Sequence, residues 1–302
     1  MTDAERGKVH VEGVEVEISH PDKLLWPEPG ITKLIYLQKL AALSPYLLPY
    51  CRDRHMTTVR FPQGVEGKFF YQKNAPAGRP DYVKTHHYEG VEYVNLDSLP
   101  VLLWLGNLAA LEFHPSFETV HGDEPQEWVI DIDPEEEGDP RLMEAAARVG
   151  EALEGMGLLS VPKTSGASGV QIVVPLTPGH TFADLQKVGG FLAHFLSEKF
   201  GSLFTVERLL KEREGRIYLD YVQVAAGKSM AAPYTPRARP EATVSAPLTW
   251  EEVREGVSPK AFHLMNMEER LKEKGDLLAG VERQSLVPIL KFLEQRPVRS
   301  GR

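Results

Sequence analysis

Hydrophobic and polar residues follow two periodicities along the chain, one of two residues and one of three to four. Alternation over residues 9–17 (VHVEGVEVE) predicts a half-buried strand. Thr32 is expected to cap an amphipathic helix, because an apolar residue recurs every three or four positions after it. This apolar stripe consists of Leu34, Leu37, Leu40 and Leu43 or Leu47. A second, mostly apolar helix is predicted over about 98–111, with Asp97 or Ser98 as its cap.

The rest of the chain mixes short strands with longer helices. Strands are predicted over 56–61, 68–73, 91–96, 127–133 and 216–226, and a strand–glycine turn–strand unit over 161–176. Helices are predicted over 140–157, 181–199 and most of 249–294. Because these elements do not alternate in a regular βαβ order, we expect an α+β fold with a largely antiparallel sheet.

Composition indicates the general class of protein but says little about its function. A chain of 302 residues, 42% hydrophobic and 25% charged, is long enough for one large domain or two packed lobes. Its single cysteine, Cys51, excludes an internal disulfide and a cysteine-based zinc cluster. No apolar stretch reaches the roughly 18 residues of a membrane helix, and the charged N-terminus lacks the apolar core of a signal peptide. We therefore expect a reduced, cytoplasmic protein.

The formal net charge of −9, taken alone, argues against a nucleic-acid partner. The distribution of charge changes this picture, because acids gather at 134–139 and 251–255 while basic residues recur through the first third of the chain. The basic positions there are 23, 33, 60, 68, 73, 79 and 84. That third could carry a basic face, although scattered lysines and arginines are also typical of an ordinary solvated surface.

The strongest chemical signal is the pair Asp131 and Asp133 at the end of the apolar strand EWVIDID. Residues i and i+2 of a strand point the same way, so two carboxylates leave one face side by side. Their repulsion is about 4 kcal/mol at a separation of ~4 Å and an effective dielectric near 20, which favours a raised pKa or a bound cation. Hard ions such as Mg²⁺ or Mn²⁺ prefer these oxygen ligands. The alternative is a solvated acidic turn over DIDPEEEGDP.

Asp220 is the second candidate, because it lies within the apolar strand RIYLDYVQV. An acid in such a strand is costly unless it is paired or bound to a metal, and a satisfied core aspartate is the alternative. Three acids carried on strands are the usual set for two-metal phosphoryl transfer.

Three further segments have side chains suited to phosphate. Residues 164–169 (TSGASG) connect two predicted strands, and their glycines would let backbone N–H groups point at phosphate oxygens, although such turns are common without a ligand. Arg237 and Arg239 lie in a proline-rich loop after the Asp220 strand, as phosphate ligands or as surface residues. His114 follows an apolar helix and is either a ligand or, more commonly, a core histidine.

In this order the motifs resemble the polymerase domain of bacterial DNA ligase D, a member of the archaeo-eukaryotic primase superfamily that acts in non-homologous end joining. The matching segments are HPDKLLWPEPGITK, RFPQG, FYQKNAP, LEFHP, DIDP, KTSGASG, DYVQ, APYTPRARP and PLTWEEV. The resemblance implies a two-lobed primase-polymerase fold with mixed, largely antiparallel sheets and an RRM-like catalytic sheet flanked by helices. It implies a single domain over 1–302, with a DNA-end-binding part at about 1–110, a catalytic part at about 111–250 and a helical tail at 251–302.

The roles of the family's residues carry over to matching positions. The resemblance makes Asp131, Asp133 and Asp220 the catalytic acids that hold two Mn²⁺ or Mg²⁺ ions. Contacts with the incoming NTP or dNTP fall to His114, Ser165, Gln223 and Arg237, and Gly166 and Ser168 of the same turn and Lys228 are further nucleotide-binding candidates. The DNA end and its 5′-phosphate fall to Lys23, Lys33, Arg60, Phe70, Tyr71 and Lys73. Within that set the two lysines 23 and 33 hold the phosphate, and an aromatic ring at 70 or 71 stacks in the DNA or nucleotide site.

Three positions depart from the family's usual pattern. Ser168 stands where the turn usually has a lysine, Gln171 where histidine is frequent, and Val224 where asparagine is frequent. Loss of the lysine removes one positive donor to the triphosphate, so we expect weaker nucleotide affinity or a compensating cation such as Lys228. None of the three is a metal-binding acid.

The resemblance implies a template-dependent polymerase that extends a primer 3′-OH at gaps and broken ends, with a preference for ribonucleotides. The implied partners are DNA with gaps or 3′ overhangs and a 5′-phosphate, a Ku-type end-binding protein and a separate ATP-dependent ligase. We expect a stand-alone polymerase or an excised domain, because no ligase region follows residue 300, and a location at the nucleoid without a membrane partner. The alternatives are a de novo primase, a catalytically weak end-bridging module and a metal-dependent phosphoesterase.

Overall fold

The computed structural model of the protein describes residues 6–295. Its first part contains one long helix, one short helix and a small three-stranded antiparallel sheet, together with three strand pairs. The elements are β1 (Arg6–Val11), β2 (Val14–Ser19), β3 (Leu24–Trp26), β4 (Ile31–Thr32), α1 (Lys33–Cys51), β5 (Arg54–Arg60), β6 (Phe70–Gln72), β7 (Thr85–Tyr88), β8 (Val91–Val94), α2 (Leu99–Asn107) and β9 (Ala110–Thr119). Strand β5 pairs antiparallel with β6 on one side and β9 on the other, and α1 packs against α2. The Thr32 hydroxyl accepts a hydrogen bond from the Ile35 N–H, which confirms the predicted cap.

A five-stranded sheet organises the second part. The elements are β10 (Glu127–Asp133), α3 (Leu142–Gly155), β11 (Val161–Thr164), β12 (Val170–Pro175), α4 (Phe182–Lys199), β13 (Phe204–Thr205), β14 (Ile217–Asp220), α5 (Trp250–Arg254), α6 (Met267–Lys274) and α7 (Val287–Gln295). The strand order is β11-β12-β10-β14-β13, and only the short β13–β14 pair is parallel. The predicted α+β class with largely antiparallel sheets is confirmed.

The two faces of this sheet differ because side chains alternate along each strand. Trp128, Ile130 and Ile132 of β10 are at most 4% exposed, on the side where α3 and α4 pack. The intervening residues of β10 point to the other side, where Glu127 forms an ion pair of 2.7 Å with Arg54 of β5. The polar face of the large sheet is therefore turned toward the smaller sheet, and the candidate site lies between them.

Several predicted boundaries are wrong. The strand expected over 9–17 is a hairpin, because Glu12 and Gly13 adopt positive φ and turn the chain between β1 and β2. The helix expected over 98–111 ends at Asn107, since Ala109 has φ 59° and residue 110 begins β9. The strand expected over 216–226 stops at Asp220, and the remaining residues form a loop.

The tail is helical only in part, because residues 275–286 are irregular between α6 and α7. It is tied to the rest of the protein by Asp276, which accepts hydrogen bonds from the hydroxyls of Tyr50 (2.8 Å) and Tyr234 (2.7 Å). The backbone N–H of Gln284 also donates to the carbonyl of Pro175 at the end of β12. No helix between residues 6 and 295 is long and apolar enough to cross a bilayer.

We expect Gly150→Ala to lower the thermal midpoint, because a Cβ atom at this position of α3 would lie 2.3 Å from the Trp250 ring. Overpacking of this kind costs about 1–3 kcal/mol, more than the roughly 1 kcal/mol that alanine gains over glycine in a helix. Gly155→Ala, at the end of the same helix, is the control because nothing lies within 4 Å of its added carbon. Differential scanning calorimetry that found Gly150→Ala as stable as this control would contradict the packing.

Candidate active site

Four polar side chains form a row across the large sheet. Asp131 of β10 lies directly opposite Gln171 of β12 on one side and Asp220 of β14 on the other. Lys163 of β11 in turn lies opposite Gln171. Directly opposed residues share a face, with Cβ atoms about 5 Å apart. Asp133 lies beside the row on the same face, two residues further along β10, so the structure brings the three predicted acids together.

Burial and repulsion oppose ionisation of the two acids on β10. Asp131 is 9% exposed, and burial together with the charges of Asp133 and Asp220 raises its pKa to about 7. Burial also raises the pKa of Asp133, which the Arg213 guanidinium lowers in part. The Oδ1 atom of Asp131 has no hydrogen-bond partner among the described residues. An orphaned, buried carboxylate oxygen beside two other acids fits a divalent cation, which offsets the repulsion and fills the missing contact.

The third acid is held by its own strand and the loop that follows. Asp220 accepts hydrogen bonds from the Val222 N–H (3.0 Å) and from the Tyr218 hydroxyl. Between residues 6 and 295, no group of three or more acidic, histidine or cysteine side chains is arranged to hold a metal ion as it stands. The three carboxylates are neighbours along and across two strands, but their oxygens do not yet surround a single point.

Lys163 is a buried cation behind the acids, and the sequence patterns did not single it out. Its ammonium group donates to Gln171 Oε1 (2.5 Å), Ser245 Oγ (2.7 Å) and the Ala231 carbonyl (3.2 Å). Because Gln171 accepts from the lysine through its carbonyl oxygen, its amide is left to hydrogen-bond Asp131. Burial, aided by the charge of Arg237, lowers the pKa of Lys163 to about 7.

The glycine turn packs directly against the acids. Ser165 Oγ accepts hydrogen bonds from the N–H groups of Ala167 (3.1 Å) and Gly169 (3.0 Å), which closes the turn between β11 and β12. A Cβ atom at Gly169 would meet the Ile132 carbonyl at 2.6 Å and Asp133 Oδ1 at 3.0 Å, so only glycine fits there. The predicted phosphate turn and the predicted metal acids are thus adjacent. Ser168, at the tip, is half-buried.

Arg237 and His114 meet at a glutamate that the sequence analysis overlooked. Glu112 of β9 lies 2.9 Å from His114 Nε2 and 3.1 Å from Arg237 Nε, and it accepts a hydrogen bond of 2.9 Å from the Ala238 N–H. Burial alone would raise the pKa of Glu112, but the His114 hydrogen bond and the Arg237 charge outweigh it and lower the pKa to about 2. The spacing of 112 and 114 on one strand was the available signal, and it was hidden by the wrong helix boundary at 111.

Arg237 also connects this cluster to the glycine turn. Its Nη1 donates to the Ser165 carbonyl. A Cβ atom at Gly166, whose φ is 70°, would lie 2.5 Å from Arg237 Cγ. Arg239, by contrast, pairs with Glu137 near the surface.

The remaining predicted nucleotide contacts lie on the loop after Asp220. Gln223 is half-buried and Lys228 is exposed, and neither side chain has a hydrogen bond or ion pair with another described residue. The loop is anchored to β9 by Gly227, whose N–H donates to Glu118 Oε1 (3.2 Å). Val224 is 2% exposed, so an apolar residue there packs into the core.

The two lysines predicted to hold a 5′-phosphate are neighbours on the first part of the chain. Lys23 Nζ donates to the Pro62 carbonyl (2.5 Å) and Lys33 Nζ to the Ser19 carbonyl (2.6 Å). Lys33 is only 4% exposed, and burial together with the charge of Lys23 lowers its pKa to about 8. Lys23 is therefore the more accessible cation, and Lys33 lies behind it.

An exposed aromatic surface lies on and beside β6. Phe70 and Tyr71 are 44% and 64% exposed, and Phe69 is 54% exposed. Arg60 lies over the Phe70 ring at 5.2 Å and donates to Gln72 Oε1 (2.8 Å). Lys73 is exposed at the end of this segment. Exposed aromatic rings beside cations are suited to stacking with bases. Because proteins rarely leave several neighbouring aromatic rings exposed, this surface is a candidate binding site.

Three acids on two paired strands beside a glycine turn are the arrangement expected of a nucleotidyltransferase. The sequence matches the family described as "LigD, primase-polymerase domain" over residues 32–278. The chain belongs to this family, and a metal-dependent nucleotidyltransferase activity in general follows from that membership.

Relatives and a solved structure agree with this assignment. The chain is 34% identical over 288 residues to the bifunctional non-homologous end joining protein LigD of Bacillus subtilis, covering 93% of this chain and 47% of that protein. It is 30% identical over 277 residues to the multifunctional LigD of Mycolicibacterium smegmatis, covering 88% and 36%. The polymerase domain of Mycobacterium tuberculosis Ligase D in complex with DNA superposes with a TM-score of 0.80 at 28% identity, covering 88% of this chain and 98% of that one. The chain thus spans less than half the length of these two curated relatives.

We expect Asp131→Asn to stabilise the metal-free protein at pH 8. The pKa of Asp131 is about 7 in the folded protein and near 3.9 in an unfolded chain, so ionisation of this carboxyl disfavours folding increasingly as the pH rises between these values. The gain should be a few degrees in thermal midpoint at pH 8 in EDTA, and should shrink toward pH 4.

Asp139→Asn is the matched control, because hydrogen bonds from Arg141 lower the pKa of Asp139 and its charge therefore stabilises the fold. This variant should be equal to or less stable than wild type at pH 8. A midpoint of Asp131→Asn at or below that of wild type in EDTA at pH 8 would show that the carboxylate is not under electrostatic strain.

Proposed function

We propose that the chain is a template-dependent polymerase that adds ribo- or deoxyribonucleotides to a primer 3′-OH at gaps and broken DNA ends during non-homologous end joining. The observation that carries the proposal is the pairing of Asp131 with Asp220 across two strands, with Asp133 on the same face and one buried oxygen of Asp131 without a partner. Family membership and the relatives' end-joining names support it.

Asp131, Asp133 and Asp220 would hold two divalent ions, Mn²⁺ or Mg²⁺. When bound, such ions lower the pKa of the attacking hydroxyl and neutralise charge on the triphosphate and leaving group. The protein's own part is to fix the acids: Gln171 hydrogen-bonds Asp131, and the Val222 N–H holds Asp220.

The glycine turn and the loop that follows β14 would bind the incoming nucleotide. Arg237 is a forked cation suited to phosphate oxygens, and Ser165 lies beside it in the turn. His114 lies next to Arg237 through their shared glutamate. With serine at 168, the positive charge that the family usually has there would come from Lys228, which is exposed and unpaired in the described part of the chain.

DNA would bind on the first part of the chain, where individual lysines and arginines offer contacts to phosphate although the protein has a net charge of −9. Lys23, with Lys33 behind it, would hold the 5′-phosphate of a recessed end. The exposed Phe70 and Tyr71 rings would stack with bases, and Arg60 and Lys73 would contact the backbone.

A Ku-type end-binding protein and a separate ATP-dependent DNA ligase would act with this polymerase at the nucleoid. The relatives are named as a bifunctional and a multifunctional end-joining protein, each more than twice as long as the matched region, which supports the joint action of this domain with further end-joining activities.

A de novo primase is the second candidate, because the family is described as a primase-polymerase. Product sizing on an unprimed single-stranded template separates the two activities: a polymerase of the proposed kind leaves it uncopied and extends only an annealed primer.

We expect Asp131→Ala and Asp133→Ala each to reduce Mn²⁺-dependent primer extension at least about a hundredfold, because bound ions supply several kcal/mol of transition-state stabilisation. Gel-based extension of a gapped duplex, with ribo- and deoxyribonucleotides side by side, measures this. Asp139→Ala, an acid outside the site, should extend like wild type. Normal extension by either site variant would refute the metal-binding role.

Lys23→Ala should weaken binding to a 5′-phosphorylated gap roughly tenfold, because a hydrogen bond between two charged groups is lost, and should leave binding to the unphosphorylated gap unchanged. Fluorescence anisotropy measures both affinities. Lys187→Ala on α4 is the control, since that lysine lies near Glu294 on the helical side of the sheet. If Lys23→Ala kept the preference for the phosphate, the proposed phosphate site would be misplaced.

A further inference from the structure

Glu112 is a buried carboxylate placed between the two side chains assigned to the nucleotide. It is 8% exposed, and both of its oxygens are engaged. Oε2 lies against His114 Nε2 and Arg237 Nε, and Oε1 accepts from the backbone N–H of Ala238. A single anion thus contacts three separate donors that come from β9 and from the loop that crosses it.

Glu112 is ionised at neutral pH. Its pKa is lowered to about 2 in spite of burial, so the carboxylate is ionised at any pH at which a polymerase acts. A carboxylate has no proton to donate, and therefore every neighbour within hydrogen-bond distance must be a donor.

This constraint selects one form of the His114 ring. The nitrogen that faces the carboxylate, Nε2, must carry the proton. In the neutral imidazole the other nitrogen, Nδ1, is then the acceptor. Burial favours the neutral form, because it lowers the pKa of His114 despite the neighbouring anion. A buried carboxylate commonly fixes the orientation and tautomer of a histidine that binds a ligand through its other face.

The same carboxylate restricts Arg237. The arginine stem is packed where a Cβ atom of Gly166 would otherwise be, while Nε faces Glu112 and Nη1 faces the Ser165 carbonyl. Nη1 is therefore hydrogen-bonded to the protein, whereas Nε forms an ion-pair contact with Glu112 that lacks hydrogen-bond geometry. Nη2 makes no hydrogen bond with any residue between 6 and 295, so the guanidinium keeps donors for a ligand.

We propose that Glu112 is the positioning residue of the nucleotide site, and that its carboxylate sets the His114 tautomer and the Arg237 rotamer before a triphosphate binds. The inference rests on the proposed function, because it takes His114 and Arg237 as nucleotide contacts. A purely structural role, in which Glu112 only ties residues 237–239 to β9, predicts a loss of stability without a specific loss of nucleotide affinity.

The first measurement is made on the wild-type protein. In protein labelled with ¹⁵N on its ten histidines, long-range ¹H–¹⁵N correlation spectra report which ring nitrogen carries each proton. The resonances of His114 are assigned by their loss in His114→Gln. At neutral pH, we expect His114 to carry its proton on Nε2. A proton on Nδ1 alone would overturn the proposal.

The second measurement is isothermal titration with ATP in the presence of MnCl₂ and without DNA. Glu112→Gln keeps the size of the side chain but removes its charge and puts an N–H₂ group toward one of the three donors. We expect it to bind ATP about ten- to a hundredfold more weakly than wild type, while its affinity for a 5′-phosphorylated gapped duplex stays within twofold.

Glu252→Gln is the matched control. Glu252 of α5 likewise pairs with an arginine, Arg270, and accepts a hydrogen bond from a backbone N–H, that of Thr249, but it lies outside the nucleotide site. This variant should bind ATP like wild type. Wild-type ATP affinity in Glu112→Gln would overturn the proposal, as would equal losses of ATP and DNA binding in both variants. Folded wild type that failed to bind ATP would instead refute the proposed nucleotide site itself.

Discussion

The whole site depends on a sheet whose two faces differ, one apolar and covered by helices and the other polar. Trp128, Ile130 and Ile132 are buried beneath α3 and α4, and alternation then places Asp131 and Asp133 on the opposite face. A shift of one residue in this strand would turn both acids toward the helices and three large apolar side chains toward the polar face, so the apolar layer holds the register against the repulsion of the acids. The antiparallel pairing of β10 with β14 then places the third acid, Asp220, directly opposite Asp131.

Two buried basic side chains lie close to the acids, although the protein as a whole carries a negative net charge. Lys163 lies behind Gln171, and Arg237, which is held by Glu112, packs against the glycine turn that follows the Lys163 strand. Each buried cation has its own polar partners, as buried charges require. Neither cation forms an ion pair with Asp131, Asp133 or Asp220 in the described part of the chain.

The sequence was informative where function imposes a local pattern. The i, i+2 spacing of Asp131 and Asp133 predicts a shared face, and the apolar context of Asp220 predicts a strand, both as found. The pairing of Asp131 with Asp220 is a long-range contact that no local pattern encodes. Glu112 went unnoticed because the apolar run before it predicted a helix that Ala109, with its left-handed backbone, brings to an end. The burial of Lys33 could not be foreseen either, since a lysine in a polar loop gives no sign of what will cover it.

Asp276 has a consequence for how this domain can be joined to other proteins. Its carboxylate accepts hydrogen bonds from two tyrosine hydroxyls, one on α1 and one on the loop beside β9. Asp276 thus connects three stretches that are distant along the chain. A segment that ended before this residue would leave both hydroxyls without their acceptor in a poorly solvated place. A stably folded fragment of this domain must therefore extend past residue 276, whatever protein it is joined to.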